Sequence, residues 1–523
     1  MKTNDITEYY EETGTRLSYT WFVPFAVAVF GLLLYSAYKN IYYKLYDVLD
    51  YQVTEPENLP LLLICVLLVL CFLNLWTKYL APRLPKWVTP VLPLVNCTGI
   101  SLYLIIAVRG LAVNDGLFMD RITNQFVRGD YTELTEPDGY LYAKSHQIGY
   151  LAYEQMMYHL FGESNYRAYQ IVNLISILIT LYLLQRFAEE LFREKRVRQM
   201  TALLSCGMLF LFVYTTNIYN DIPSLPFQTA AMYLLLRYLR TRKRSCAVFS
   251  GILLAIGYCI KTNVLISLVA MVMVLLADAV RQAKDAHRSS RGAITSLFFA
   301  VYLMVLCPLS LNAIRLHYAT LTGMETFPKG EPMSTYVAMS LMETDEGQSG
   351  WYNGYNSTTF KDNGYDYDKT NAQAYVDIQK RLGELIADPS HGIYFFAKKF
   401  LTQWGDASCI SMRNLELASR HIEGHSSLVN SIIYGRGMRI FYWIMNVFQT
   451  IVLLGCCIYC IDTFRQGRVP SAQSFLLLFI FGGMIFHEFW EASSRYTMRY
   501  YIFFVPFAAY GIDRLLQKKR GQT

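Results

Sequence analysis

Long apolar runs alternate with polar segments along the chain, and about twelve of these runs have the length of a membrane-spanning helix. A helix needs roughly 20 mostly apolar residues to cross a bilayer. The pattern therefore predicts an all-α polytopic membrane protein with a transmembrane bundle of about twelve helices. The predicted spans are residues 19–38, 59–80, 89–108, 165–185, 199–217, 222–239, 246–260, 263–280, 293–314, 437–461, 473–489 and 497–514.

Lysine and arginine concentrate in the segments that would lie on one side of such a bundle. Cytoplasmic loops of membrane proteins carry an excess of these residues. The pattern therefore predicts that both termini are cytoplasmic and that two long segments lie outside the cytoplasm, the first outer loop (109–165) and the large outer loop (317–436). The basic clusters are at residues 78–86, 193–198, 237–244, 281–291, 465–468 and 518–520.

Composition narrows the class of protein. Of 523 residues, 54% are hydrophobic and 17% are charged, whereas a typical soluble domain has about 25% charged residues. This excludes a disordered chain and an ordinary cytosolic protein. The formal net charge of +7 comes from the basic clusters in the loops, so it indicates how the chain is oriented in the membrane. No nucleic-acid partner is expected from it. The acidic segment 1–20 does not resemble a cleavable signal peptide.

The same pattern divides the chain into regions. We find no internal repeat, which counts against the repeated halves of common secondary transporters. The predicted regions are an N-terminal tail with two extra spans (1–88), a transmembrane core that includes the first outer loop (89–316), a large extracytoplasmic subdomain (317–436), and C-terminal transmembrane helices with a basic cytoplasmic tail (437–523).

The first outer loop predicts two helices at the membrane surface. Leu117, Ile122 and Phe126 recur at helical spacing, and residues 148–161 can form a second such helix. Asp115 has two interpretations. It can cap the first helix, or it can accept a proton from an incoming nucleophile.

Other polar and aromatic residues have both structural and functional interpretations. His146 alone is typical of a hydrogen-bonded structural histidine. In the large outer loop, Trp351, Tyr352 and Tyr355 lie among Asn, Asp and Gly. Aromatic rings beside polar groups suit sugar faces, and a small packed core or a membrane-interface belt explains them equally well. Residues 372–386 predict an amphipathic helix in the same loop.

Five short motifs follow one another along the predicted outer side. Together they resemble the GT-C glycosyltransferases, particularly bacterial relatives of protein O-mannosyltransferases and lipid A aminoarabinose transferases. The resemblance covers roughly residues 91–516. It departs from the family pattern at one place, since the common Asp-Glu pair is Asp115-Gly116 here. The motifs are N-D-G-L-F-M-D with Asp115 and Asp120, H-Q-I-G-Y with His146, N-I-Y-N-D-I-P with Asp221, I-K-T-N with Lys261, and H-E-F-W-E-A-S-S-R-Y with Glu491, Arg495 and Tyr496.

The resemblance implies an enzyme of a bacterial cell membrane that transfers a sugar outside the cytoplasm. The donor would be a polyprenyl-phosphate sugar, and the acceptor a hydroxyl of a cell-wall polymer, a lipid-linked glycan or a protein. Asp115 matches the essential acid of the first outer loop, and Asp120 or Asp221 would supply a second acid. Direct attack assisted by one base predicts inversion at the anomeric carbon.

The resemblance also implies cations that stabilise the departing phosphate. Lys261, Arg495 and Arg499 are the candidates, and snorkelling to the membrane interface explains each of them as well. Whether Glu491 binds the donor or braces Arg495 is open. The residues assigned to donor or acceptor binding are His146, Glu491, Tyr496, Trp351, Tyr352 and Tyr355.

No cofactor is expected. The alternative is a divalent metal ion held by Asp115, Asp120 and Asp221, because hard cations favour oxygen ligands.

Two other functions stay open. A transporter or flippase of lipid-linked sugars predicts repeats and charges in the middle of spans, whereas the notable ionisable residues here lie near the predicted outer ends. A noncatalytic membrane scaffold would not explain why acids and cations converge on one side.

Overall fold

The computed structural model describes residues 16–47, 50–284 and 290–518. The predicted acidic tail before residue 16 and the basic positions 285–289 and 519–520 lie outside these ranges. Helices α1 to α7 form the N-terminal region and the first outer loop. They are α1 (Arg16–Tyr38), α2 (Leu59–Leu75), α3 (Val88–Val108), α4 (Asn114–Val127), α5 (Thr132–Thr135), α6 (Tyr140–Ala143) and α7 (Ile148–Phe161).

The remaining helices build the bundle and the large outer loop. Those of the core are α8 (Tyr166–Phe192), α9 (Lys195–Ser205), α10 (Leu209–Val213), α11 (Asp221–Thr241), α12 (Arg244–Ile260), α13 (Leu265–Lys284) and α14 (Ser290–Thr322). Those of the large outer loop are α15 (Met333–Ser340), α16 (Tyr355–Asp362), α17 (Tyr367–Ala387), α18 (Pro389–Trp404), α19 (Ser411–Ser419) and α20 (Ser427–Tyr434). The C-terminal helices are α21 (Arg436–Gln466), α22 (Ser471–Glu488), α23 (Met498–Tyr501) and α24 (Phe504–Lys518).

The chain is an all-α polytopic membrane protein, and each predicted span falls on a helix or a helix pair. Within the described ranges, eight helices are long and apolar enough to cross a membrane, or nine if α9 and α10, bent by 53°, form one span. The predicted twelve therefore exceeds the number that meets this criterion. Helices α11, α12 and α24 are the difference. Helix α12 is apolar but only 17 residues long. Helix α11 packs on α12 and α24 packs on α21, so α11 and α24 need not be continuously apolar.

Four of the six predicted basic clusters converge at one end of the bundle. Residues of four clusters line a cavity of about 270 Å³, namely Arg193, Arg240, Arg281 and Arg468. Buried or half-buried acids pair with arginines there, as in the contact of Arg240 with Glu190 at 2.8 Å. This arrangement supports a common side for the clusters, and the assignment of that side to the cytoplasm stays a prediction.

The two leading spans, predicted as an extension, pack on the C-terminal helices. Helix α1 contacts α21 and α22, and Asn446 of α21 donates a hydrogen bond to the carbonyl of Ser36 at 3.0 Å. Between α1 and α2 the chain forms an antiparallel hairpin of β1 (Lys39–Tyr43) and β2 (Gln52–Pro56). The N-terminal region is therefore part of the folded body.

Glycine permits the close crossing of α21 and α24. A Cβ atom at Gly511 would overlap the carbonyl oxygen of Gly455, and one at Gly455 would overlap the carbonyl oxygen of Ala508. At Gly482 of α22, a Cβ atom would meet nothing within 4 Å. The two backbones thus touch at a point where any side chain would separate the helices.

We predict that Gly511→Ala lowers stability by about 1–3 kcal/mol, because an added methyl group would overpack this crossing. Thermal unfolding in detergent measures the change. Gly482→Ala is the matched control, and it should be neutral or stabilising by up to about 1 kcal/mol, since alanine favours a helix over glycine. Equal stability of the two variants would contradict the tight crossing.

Candidate functional site

A cavity of about 710 Å³ opens where both outer loops meet the ends of the bundle helices. Its walls come from the first outer loop, from the turns at residues 219–220 and 260–263, from the large outer loop and from residues 486–496. The predicted site residues that line it are Asp115, His146, Lys261, Trp351, Tyr352, Glu491, Arg495 and Tyr496. Segments far apart in the sequence thus form one site.

Asp115 lies in the first turn of α4 and is held by a chain of hydrogen bonds. The predicted capping role is wrong, because the N-cap position belongs to Val113. The hydroxyl of Tyr140 donates to Asp115 Oδ1 at 3.1 Å. Gln147 donates to that hydroxyl at 2.7 Å, and Tyr219 donates to the amide oxygen of Gln147 at 3.0 Å. The carboxylate is therefore fixed at the cavity wall by buried partners.

The backbone around Asp115 explains the departure from the Asp-Glu pattern. A Cβ atom at Gly116 would overlap the carbonyl oxygen of Ile218, so no side chain fits there. On the other side of Asp115, Asn114 has a φ of 50°. Asn is one of the few residues that adopt this left-handed conformation readily. The local sequence thus fits a close docking of α4 onto the turn before α11.

Asp221 is fully buried and contacts three cationic side chains among the described residues. Lys261 Nζ lies 2.6 Å from its Oδ1, and Arg495 and Arg499 each lie 3.8 Å from one of its oxygens. Lys261 also donates to Asn220 Oδ1 at 2.8 Å. Asp221 therefore acts as the counter-ion of a cationic cluster and is not placed as a second acid facing the cavity.

The three cations are not equally accessible. The side chain of Arg495 is 22% exposed and that of Lys261 is 5% exposed, and both residues line the cavity. Arg499 is buried beneath them and donates to Gln228 at 2.7 Å, so its predicted direct contact with the donor is not supported. Burial lowers the pKa of Lys261 to about 8, against the opposing effect of Asp221.

Glu491 reaches Arg495 through Tyr496. The Tyr496 hydroxyl donates to Glu491 Oε2 at 3.0 Å, and Arg495 donates to that hydroxyl at 3.1 Å. Burial raises the pKa of Glu491. The guanidinium of Arg495 also lies over the rings of Tyr219 and Tyr496, at 5.2 and 5.1 Å from their centroids. Glu491 is thus connected to Arg495 through Tyr496 and also lines the cavity, so both predicted roles stay predictions.

His146 faces the cavity beside aromatic residues of the large outer loop. Its ring meets the ring of Tyr336 edge-on at 6.3 Å. Burial and the nearby charge of Lys144 lower the pKa of His146 to about 4, so the imidazole is neutral at pH 7. Tyr336 stacks on Trp490 with ring centroids 5.0 Å apart. Sequence reasoning missed this aromatic pair, because the two residues lie 154 positions apart.

The three aromatic residues predicted for sugar binding differ in their exposure to the cavity. Tyr352 is 45% exposed and lines the cavity. Trp351 is only 4% exposed and packs edge-on against Tyr43. Tyr355 donates to Asp377 and is not among the residues that line the cavity. Of these three residues, only Tyr352 offers an accessible ring to a ligand.

The three acids considered for a metal do not meet. Asp115 lines the large cavity, Asp221 is occupied by cations, and Asp120 lines a separate small cavity with Ser164 and Tyr166. The part of the chain that the structure describes contains no cluster of three or more His, Cys, Asp or Glu residues that could hold a metal ion. The proposed three-aspartate metal site is therefore wrong.

The N-terminal hairpin contributes to the cavity, which no motif indicated. Asp50 and Tyr51 line it. Asp50 contacts Arg413 at 3.2 Å, and Arg413 also donates to the carbonyl of Asp47 at 2.8 Å. The turn between β1 and β2, residues 44–51, mixes apolar and aromatic residues with one lysine and two aspartates. Pairing with a residue more than 360 positions away could not be read from it.

One comparison with known protein families supports the family resemblance. A family model described as Dolichyl-phosphate-mannose-protein mannosyltransferase matches residues 146–309. The match includes His146, Asp221 and Lys261, and it supports a membrane glycosyltransferase of the GT-C superfamily. The structure of ArnT from Cupriavidus metallidurans in the apo state is similar with 12% identity and a TM-score of 0.31, covering 82% of this chain and 77% of that one. The curated proteins gave no match.

We predict that Asp221→Asn destabilises the protein by about 3–5 kcal/mol, because it leaves buried cations without their counter-ion. Thermal unfolding in detergent measures the loss. Glu163→Gln is the control, since Glu163 pairs with Arg128 at the surface with both side chains largely exposed, and such a pair contributes about 1 kcal/mol or less. A similar small effect of both substitutions would show that Asp221 does not hold the cluster together.

Proposed function

We propose that this protein is a membrane glycosyltransferase that moves a sugar from a polyprenyl-phosphate donor to a hydroxyl acceptor outside the cytoplasm. The observation that carries the proposal is that one cavity is lined by a carboxylate, Asp115, and by two cations, Lys261 and Arg495. A base and an anion site are the two elements that such a transfer needs. The family-model match over residues 146–309 is consistent with this chemistry.

The cations suit the phosphate of the donor. Lys261, Arg495 and Arg499 surround Asp221, and Glu491 reaches Arg495 through Tyr496. The three cations therefore outnumber the two carboxylates, and the cluster keeps an excess of positive charge. Charge-assisted hydrogen bonds to phosphate are stronger than neutral ones. As the bond between the anomeric carbon and the phosphate oxygen breaks, its electrons pass to the phosphate. Lys261 and Arg495 would stabilise that growing charge.

Asp115 would act as the base. The acceptor oxygen attacks the anomeric carbon, and its proton passes to Asp115 while the sugar–phosphate bond breaks. Tyr140 donates to Asp115 Oδ1, which leaves Oδ2 to receive the acceptor hydroxyl. Because attack is direct and from the face opposite the phosphate, the product has the inverted anomeric configuration. Product analysis by NMR checks this, and a retained anomer would contradict it.

The remaining walls of the cavity match the other parts of the donor. Tyr352 and the stacked pair of Tyr336 and Trp490 offer ring faces to a sugar. On another side, Leu265 and Leu311 supply apolar lining from α13 and α14, and Leu265 is 43% exposed. Apolar residues at the cavity wall suit a prenyl chain that stays in the bilayer.

We predict that Asp115→Asn lowers the rate of sugar transfer by about a hundredfold or more, because the amide keeps the shape but cannot accept the proton. Radiolabelled transfer in proteoliposomes measures the rate, with a panel of polyprenyl-phosphate sugars and extracted wall acceptors. Asp138→Asn, at an exposed position of the same loop, is the control and should keep full activity. Full activity of Asp115→Asn would exclude Asp115 as the base. Failure of wild type with every donor would favour a transporter.

We predict that Arg495→Gln lowers kcat/KM for the donor by about 10- to 100-fold, the size of one charge-assisted hydrogen bond of about 1.5–3 kcal/mol. Binding of sugar-free polyprenyl phosphate should weaken in parallel, and titration calorimetry measures that affinity. Arg128→Gln removes an exposed arginine of the first outer loop and should leave both quantities unchanged. Undiminished phosphate binding by Arg495→Gln would contradict the proposed role.

A further inference from the structure

A second, small cavity lies inside the first outer loop, apart from the candidate active site. It has a volume of about 20 Å³ and lies between α4, α7 and the turn at residues 162–166. A space of this size holds about one water-sized sphere. Its lining is rich in oxygen atoms, contributed by Asp120, Thr123, Asn124, Glu154, Ser164 and Tyr166.

Several buried oxygen atoms of this lining have no hydrogen-bond partner among the described residues. They are Glu154 Oε1, Thr123 Oγ1 and Asn124 Oδ1. Glu154 is 4% exposed and Thr123 is 3% exposed, so bulk water does not reach them freely. Buried polar atoms in folded proteins are nearly always paired. The oxygens of Glu154 and Asn124 accept hydrogen bonds and the Thr123 hydroxyl can also accept, so the small space that they line favours an electropositive occupant.

The charges around the cavity indicate the same kind of occupant. Asp120 accepts hydrogen bonds from Ser164 at 2.9 Å and from Tyr166 at 2.7 Å, and Glu154 lines the same space. Two neighbouring carboxylates repel each other, and a cation between them removes both the repulsion and the unmatched oxygen atoms.

We propose that this cavity binds a divalent cation of the calcium class, with the carboxylates of Asp120 and Glu154 and the neutral oxygens of Thr123 and Asn124 as ligands. Calcium accepts mixed carboxylate, amide and hydroxyl oxygens in irregular arrangements, whereas magnesium requires a nearly regular octahedron. With only two carboxylates, the site should be weak, with a Kd of about 10⁻⁴–10⁻³ M, as in extracellular calcium modules.

The position of the site gives the cation a structural consequence. Asp120 lies on α4 and Glu154 on α7, so a shared cation joins the two helices. Asp115 lies in the first turn of α4. The cation would thus hold in place the helix that carries the candidate base, without touching the large cavity. This site does not depend on the proposed transferase activity and can be tested without a sugar donor.

The first test uses terbium, a luminescent substitute for calcium whose emission is excited by nearby tyrosines. Tyr166 and Tyr169 line the cavity. Purified, chelator-treated protein in detergent should give saturable Tb³⁺ emission that Ca²⁺ displaces. Glu154→Gln should abolish this emission. Glu136→Gln, at an exposed position of the same loop, should retain it. Equal emission from wild type and Glu154→Gln would overturn the proposal.

Thermal unfolding supplies a second readout. Ca²⁺ at about tenfold its Kd should raise the midpoint of wild type and of Glu136→Gln by about 1–3 °C, and should not affect Glu154→Gln. If Glu154→Gln fails to fold, Thr123→Val decides, because loss of one neutral ligand should weaken Ca²⁺ binding several-fold. An unchanged Ca²⁺ titration of Thr123→Val would overturn the proposal. Equal stabilisation of the wild type by Mg²⁺ would also overturn the proposal. A Glu154→Gln protein that is more stable than the wild type and responds to Ca²⁺ as the wild type does would overturn it as well.

Discussion

The fully buried carboxylate of Asp221 holds the candidate site together. Its cationic partners come from separate parts of the chain, with Lys261 following α12 and Arg495 and Arg499 following α22. A buried charge is tolerated only when it is paired, so folding of these segments around Asp221 is coupled. Because the cations outnumber the carboxylate, the same interaction that closes the bundle leaves positive charge for an anionic ligand.

Close backbone contacts set the distance between the base and the cations. Gly116 packs against the carbonyl of Ile218, just before α11, and Gly149 packs against the carbonyl of Cys259, just before Lys261. The first outer loop is therefore docked on the two turns that precede the ion cluster. Side chains at either glycine would push the loop away. The position of Asp115 thus depends on main-chain packing as well as on its own hydrogen bond.

The sequence predicted local structure well and long-range pairing poorly. Apolar runs located the bundle helices, and the surface helix predicted at residues 148–161 coincides with α7. The motif residues Lys261 and Arg495 proved to line one cavity with Asp115. Periodicity cannot show which side of a buried helix end faces a ligand, so Arg499 was predicted at the surface of the site although it lies beneath it. For the same reason, Tyr355 was assigned to a cavity that it does not line.

The N-terminal hairpin shows why the site extends beyond the recognisable motifs. A two-stranded hairpin is barely stable by itself, and its connecting turn here is held by Arg413 of α19, which donates to the carbonyls of Lys44 and Asp47 and contacts Asp50. The guanidinium is buried, and these acceptors, together with the buried carboxylate of Glu416 at 2.5 Å, make its burial tolerable. The hairpin and the large outer loop therefore stabilise each other. Since Asp50 and Tyr51 line the cavity, a region outside the resemblance shapes the space that a substrate would occupy.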